Sequence, residues 1–214
     1  MSRKERHETV GTLKLTGEGI VSASPDVAEL DLGVTVEAKS AGEAIRANAA
    51  RMSAVIARIK ALNIPSESLK TTGIGLSPIY DYDEKSPTKG QIIAYRVDDM
   101  LRVLSEVDQA GMVLDVAVSA GANLASGIRF ALRDAHAFQE QALAAAVKAA
   151  DRSATIVAQA LGAKLDPPHQ IDVLSAASGP VVRMSKSTAE VGTPVESGTL
   201  SIHASVQVER RYRL

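Results

Sequence analysis

The sequence predicts an α+β fold, a mostly antiparallel sheet packed against two long helices and one short helix. Three observations lead there. Ala28, Leu30, Leu32, Val34 and Val36 alternate with Glu29, Asp31, Gly33, Thr35 and Glu37, the period of a strand with one dry and one wet face. Ile45, Ala49, Met52, Ile56 and Ile59 recur at the 4-3-4-3 spacing of an amphipathic helix. Residues 134–163 form a longer helical stretch in which alanine dominates.

The elements follow in order. A turn marked by Ser24, Pro25 and Asp26 leads into the strand of residues 27–37. Ser40 and Glu43 make a capping box that starts the first helix, which ends near Leu62 and Asn63, ahead of Pro65. Residues 69–80 read as a strand with Ile74, Leu76 and Tyr80 on one face, and Pro78 marks an edge or a bulge. A polar hairpin loop, 81–90, leads to a return strand on which Ile93, Tyr95, Val97, Leu101 and Val103 share a face. Asp99 falls on that apolar face and breaks its pattern.

A short helix near 107–117 carries Met112, Val113 and Val116, and the next strand, 123–132, aligns Leu124, Ile128, Phe130 and Leu132. The long helix shows two stripes. One is Leu143, Val147, Ala150, Ala154, Val157 and Leu161; the other is Phe138, Ala142, Ala145, Ala149 and Ile156. Gly162 is its natural stop. A strand at 170–177 and a long loop at 178–198 precede the last strand, where Leu200, Ile202, Ala204, Val206 and Val208 alternate with polar residues. The order of helix, proline and strand around Pro65 recurs around Pro167 and Pro168, as the general grammar of α+β proteins allows.

Composition excludes several function classes. The 214 residues suit one domain or two intimately packed lobes, with residues 1–11 as a flexible tail and 12–214 as the folded part. With 45% apolar residues, 3% aromatics and no Trp, the core must be built from Ala, Val, Leu and Ile. There is no Cys, which removes disulfides, thiol catalysis and Cys-ligated zinc. A net charge of −1 offers no field for nucleic acid. No run of about 18 apolar residues suggests a transmembrane helix. The charged opening residues lack an apolar stretch behind them, so no secretory signal is expected in this chain.

Candidate sites are few. His7, His136, His169 and His203 have no metal-ligand spacing and read as surface histidines. Asp81, Asp83 and Glu84 suggest calcium by their spacing, yet the full ligand order is missing, and a solvated hairpin tip accounts for them. Tyr80 and Tyr82 beside Asp81 suit a protein contact, or an ordinary hairpin. Asp99 is buried and paired, lines a cavity, or sits at a bulge that turns it outward. Gly17 with Gly19, and Gly73 with Gly75, lack the third glycine of a dinucleotide fingerprint, and no phosphate loop or nucleophile elbow occurs. Arg210, Arg211 and Arg213 read as a solvated terminus rather than a phosphate site. No cofactor, metal or catalytic residue is therefore expected.

A set of matches in one order resembles the SIMPL domain family, which includes periplasmic immunogenic proteins of bacteria. It comprises Thr16, Gly17, Glu18 and Gly19; Ser24, Pro25 and Asp26; Leu32, Gly33 and Val34; Ala44, Asn48 and Met52; and Leu69, Lys70 and Thr71. Ser77, Pro78, Ile79 and Tyr80; Tyr95 and Val97; Gly111, Leu114 and Asp115; and Leu161 with Gly162 complete it. The resemblance implies an α+β fold, envelope localisation and, for some members, ring-like oligomers. It supplies no catalytic residue. The expectation is a non-enzymatic envelope protein that assembles with itself through sheet edges and the 81–90 hairpin, with Tyr80, Asp81 and Tyr82 in the contact. The alternative is a binding module for a small ligand or partner protein in stress response or signalling.

Overall fold

The computed structural model describes residues 10–176, 181–183 and 193–214. His7 and most of the expected tail, like residues 178–180 and 184–192 of the expected loop, lie outside the described residues. In chain order the elements are β1 (Val10–Ala23), β2 (Val27–Ala38), α1 (Ala41–Lys60), β3 (Leu69–Tyr80), β4 (Ile92–Ser105), α2 (Ala110–Ser119), β5 (Leu124–Ala131), α3 (His136–Leu161), β6 (Lys164–Ala176), β7 (Val181–Arg183) and β8 (Thr199–Arg213). The α+β class holds, but the described strands form two antiparallel sheets instead of one. The chain divides into two compact units accordingly, one from 1–24, 134–185 and 198–214, the other from 25–133 and 186–197.

In the first unit β8 lies between β1 and β6, and β7 also pairs with β8. Leu200, Ile202, Ala204, Val206 and Val208 are buried, as their alternation requires. Here α3 packs on β1 and β8. Its buried residues are Ala142, Ala146, Ala150, Ala154 and Ala158, whereas Ile156 and Leu161 from the expected stripes are exposed. The reason lies in β1. A Cβ on Gly17 would stand 2.1 Å from the Ala146 carbonyl oxygen, and one on Gly19 would stand 1.9 Å from that of Ala142. Backbones this close leave room only for methyl groups, so alanine and not leucine faces the sheet. The strand expected from 170 begins at Lys164; register shifts at Pro168 let an edge strand absorb the prolines. The short β7 falls within what reads as loop.

In the second unit the order is β3-β4-β2-β5. Ala28, Leu30, Leu32, Val34 and Val36 of β2 are buried under α1 and α2, together with Leu101, Val103, Met52, Val55, Ile59 and Val113. Ser40 caps α1 through its Oγ, which accepts from the Glu43 N–H at 3.3 Å. The buried stripe of α1 is Ala44, Asn48, Met52, Val55 and Ile59, turned from the expected one, so that Ile45 is exposed. Asn48 causes the turn. Its side-chain amide donates to the carbonyls of Val34 at 2.7 Å and Val97 at 3.2 Å, which points a polar residue at the sheet.

The other face of this sheet is ionic. Asp31 accepts two hydrogen bonds from Arg102, at 2.8 and 3.1 Å, and one from Arg129 at 2.7 Å. The hydrogen-bonded Arg102 guanidinium, seconded by Arg129, holds the Asp31 carboxyl below its ordinary range. Arg96 and Glu37 continue the ladder at 2.6 Å.

Candidate functional site

The apolar residues in the middle of β3, Ile74 and Leu76, have no cover. This is the outer strand of its sheet, and α1 packs on β2 and β4. Ile74 and Leu76 share a face, pairing with Asp99 and Val97, and are 71% and 49% exposed. Tyr80, Ile92 and Ile93 extend the exposed apolar run to the hairpin, and Tyr82 stands 79% exposed at its tip. Ile93 does not continue the covered face of Val97 and Leu101: it is the unpaired residue of a register shift between the Ile79–Ala94 and Tyr80–Ile92 pairs, and it is exposed. The Tyr80 and Tyr82 rings are 6.3 Å apart and tilted by 50°. They form one small aromatic surface.

Asp81 is occupied within its own loop. Its carboxylate accepts from the hydroxyls of Ser86 and Thr88, and from the Asp83 N–H at 3.0 Å. These bonds, Ser86 foremost, draw the Asp81 carboxyl below its usual range. Asp83 accepts from the Lys85 N–H at 3.0 Å, and Glu84 pairs with Lys89 at 3.3 Å. The three acids of the calcium-like spacing thus serve turn geometry. Among the described residues no three His, Asp or Glu side chains converge as a metal site would need.

Asp99 is 8% exposed on the helix-covered face of β4, opposite Val34 on one side and Ile74 on the other. No register shift occurs at its position; the shift in β3 lies one pair away, at Thr72. Its Oδ1 has no hydrogen-bond partner among the described residues, and burial pushes the carboxyl above its ordinary value.

A cleft of about 420 Å³ opens where β2 begins and β4 and β5 end. Ile64, Leu104 and Leu132 give it an apolar wall, and Glu29, Glu106 and Arg133 give it charge. Arg133 donates to Glu106 at 2.7 Å, and its backbone N–H reaches Asp26 at 2.7 Å. Periodicity in the sequence could not reveal this cleft, because it is assembled from strand ends.

The remaining candidates are separate. His136 lies 3.4 Å from Glu140, and His169 lies 3.3 Å from Glu209. His203 is partly exposed on β8 opposite Ile20. Arg210 pairs with Asp151, and Arg213 with Asp166, so two of the three arginines at the end of β8 are matched by acids. No described helix is long and apolar enough to cross a membrane.

Sequence reasoning missed Ile74, Leu76 and Ile92 as surface residues. One signal was available: no charge occurs from Thr71 to Tyr80, in a strand that Pro78 marks as an edge or a bulge.

Several pieces of the resemblance prove to be fold anchors. Gly17 and Gly19 admit α3, Asn48 joins α1 to the sheet, and Asp26 holds the Arg133 backbone. On α2 the Asp115 carboxylate accepts from the Thr193 N–H and hydroxyl at 3.1 and 2.6 Å, and a Cβ on Gly111 would meet the Thr193 carbonyl at 2.3 Å.

Comparison with known proteins bears out the family resemblance. The chain is 33% identical over 206 residues to the 26 kDa periplasmic immunogenic protein of Brucella melitensis, covering 92% of this chain and 82% of that protein. The protein of the same name from Brucella abortus matches equally, at 33% over 206 residues. The uncharacterized protein YggE of Escherichia coli K12 is 28% identical over 197 residues, which cover 91% of this chain and 78% of that protein. The family described as SIMPL, protein of unknown function (DUF541), matches residues 13–209, and the chain belongs to that family.

Proposed function

We propose that this chain is a non-enzymatic protein of the bacterial envelope that assembles with itself into an oligomeric, ring-like scaffold. The observation that carries the reading is the uncovered apolar run on the β3–β4 hairpin, Ile74, Leu76, Tyr80, Tyr82, Ile92 and Ile93. Large apolar residues left exposed together on one hairpin mark an interaction surface, and an edge strand beside them offers unpaired backbone groups. The periplasmic name of the Brucella relatives supports the envelope.

Size-exclusion chromatography with light scattering, at two concentrations, tests it. A large discrete mass that survives dilution is expected, and Tyr82→Glu should lower it. A mass of 22.4 kDa at both concentrations would overturn the reading.

A second reading, a binding module for a small ligand, rests on the cleft at the strand ends. Its volume of about 420 Å³ falls in the range of small-molecule sites. An unassembled protein whose melting temperature rises saturably with an added ligand, with the rise lost in Leu104→Arg, would favour it.

A further inference from the structure

The assembly reading leaves open which backbone edge joins the copies, and β3 narrows the choice; the inference therefore rests on that reading. From Thr71 to Tyr80 the strand carries no charge, and its one charged residue, Lys70, lies at the far end from the hairpin, outside the stretch an added strand would use. Two features limit what an added strand can use. Thr72 is an extra residue that breaks the register with β4. Pro78 has no N–H to donate. Between them the register is unbroken over residues 73–77, and the centre of that stretch is Gly75.

Orientation of the free groups follows from the proline. An edge proline keeps its nitrogen on the open side of the strand. By alternation Ile74 and Leu76 direct their N–H and C=O groups to that side too, while Gly73, Gly75 and Ser77 direct theirs toward β4.

We propose that two copies of this chain join through β3, antiparallel and edge to edge, about a two-fold axis at Gly75. Ile74 then exchanges both backbone hydrogen bonds with Leu76 of the second copy, and Leu76 does so with Ile74 of that copy. On the apolar face, the exposed Ile74 and Leu76 of each copy cover those of the other. On the opposite face Gly75 meets its counterpart and Gly73 meets Ser77. That face is open: a Cβ on Gly73 or Gly75 has no neighbour within 4 Å. The second copy is the occupant because the stretch matches its own reverse. Small residues stand at 73, 75 and 77, branched aliphatic ones at 74 and 76, and there is no charge to select an unlike partner. Such a joint is isologous and uses both β3 edges, so a larger ring adds a different contact.

The absence of Cys makes single-thiol variants clean probes. Gly75 has no positive φ and accepts a side chain. In the proposed pair the two Cα atoms at 75 form a non-hydrogen-bonded pair about 4.5 Å apart, within disulfide reach. The two Ser77 positions lie roughly 13 Å apart. With oxidised glutathione, Gly75→Cys should give a covalent dimer of twice 22.4 kDa, and Ser77→Cys alone should stay uncrosslinked. A mixture of Ser77→Cys and Gly73→Cys should give the mixed dimer.

The masses of the parent and each variant, measured by light scattering, keep the failures apart. An oligomer in which Gly75→Cys does not crosslink, or in which Ser77→Cys crosslinks as well, overturns the β3 joint and leaves the assembly reading standing. A parent that is monomeric at both concentrations overturns both.

Discussion

Asn48 donates its side-chain amide to the carbonyl oxygen of Val34 at 2.7 Å, from a helix position that is 2% exposed. The same amide reaches Val97 on the neighbouring strand at 3.2 Å. One side chain thus joins α1 to both central strands of its sheet. Asn48→Ala removes two buried hydrogen bonds and leaves their acceptors dry. We expect a loss of about 1–3 kcal/mol, measured by urea unfolding. An unchanged midpoint would show that the sheet does not depend on this link.

Gly17 and Gly75 occupy opposite environments. A methyl group on Gly17 meets the α3 backbone, whereas one on Gly75 meets nothing within 4 Å. Gly17→Ala should cost on the order of 1–3 kcal/mol, as overpacking does, or prevent folding. Gly75→Ala should shift the melting temperature by no more than a degree or so, since an exposed substitution stays within about 0.5 kcal/mol. Equal losses in the two variants would contradict the close approach of β1 and α3.

Asp99 is a buried acid whose folded pKa is raised. The folded chain therefore holds the proton more tightly than the unfolded chain, and stability falls as pH rises from the unfolded value of about 3.9 through the folded one. Asp99→Asn removes that penalty. At pH 7 it should melt higher by roughly 2–4 °C, the shift that about 1 kcal/mol produces in a chain of this size. The gain should vanish toward pH 3. A variant that melts lower at pH 7 and equally so in acid would point to a partner for the carboxylate.

Asp31 behaves in the opposite sense. Its folded pKa is lowered, first by the hydrogen bond from Arg102. The stability it adds is present above the unfolded value and is lost as pH falls through the folded one. Arg102→Gln should remove about 1 kcal/mol at pH 7, a modest figure because Arg102 is partly solvated. It should also flatten the acid limb of a plot of melting temperature against pH. An acid limb identical to the parent's would exclude the pair as a source of pH dependence.

The sequence was legible where one physical signal dominated. Ala28 to Val36 declare a half-buried strand by alternation, and Ser40 with Glu43 declares a helix start, because both signals are local. The α1 stripe was misread because an apolar count assigns Ile45 to the core and Asn48 to solvent. Only the sheet, with carbonyls at Val34 and Val97 to be reached, reverses that choice. The candidate surface was half legible. Tyr80 and Tyr82 showed themselves as a loop tip, but Ile74 and Ile93 read only as members of apolar faces, since periodicity tells which residues share a face and not whether anything covers it.

By itself, then, the amino-acid order determined the α+β class, the strand faces of β2 and β8, and the absence of thiol chemistry. Hydrophobic period, caps and composition act within a few residues, so they can be read without a fold. The tertiary structure decided that the strands part into two sheets, that alanines and not leucines of α3 meet β1, that Asp99 lies dry, and that the middle of β3 is bare. Each of these depends on which backbone comes near another residue far along the chain, and closeness across that distance is settled only when the whole chain has packed.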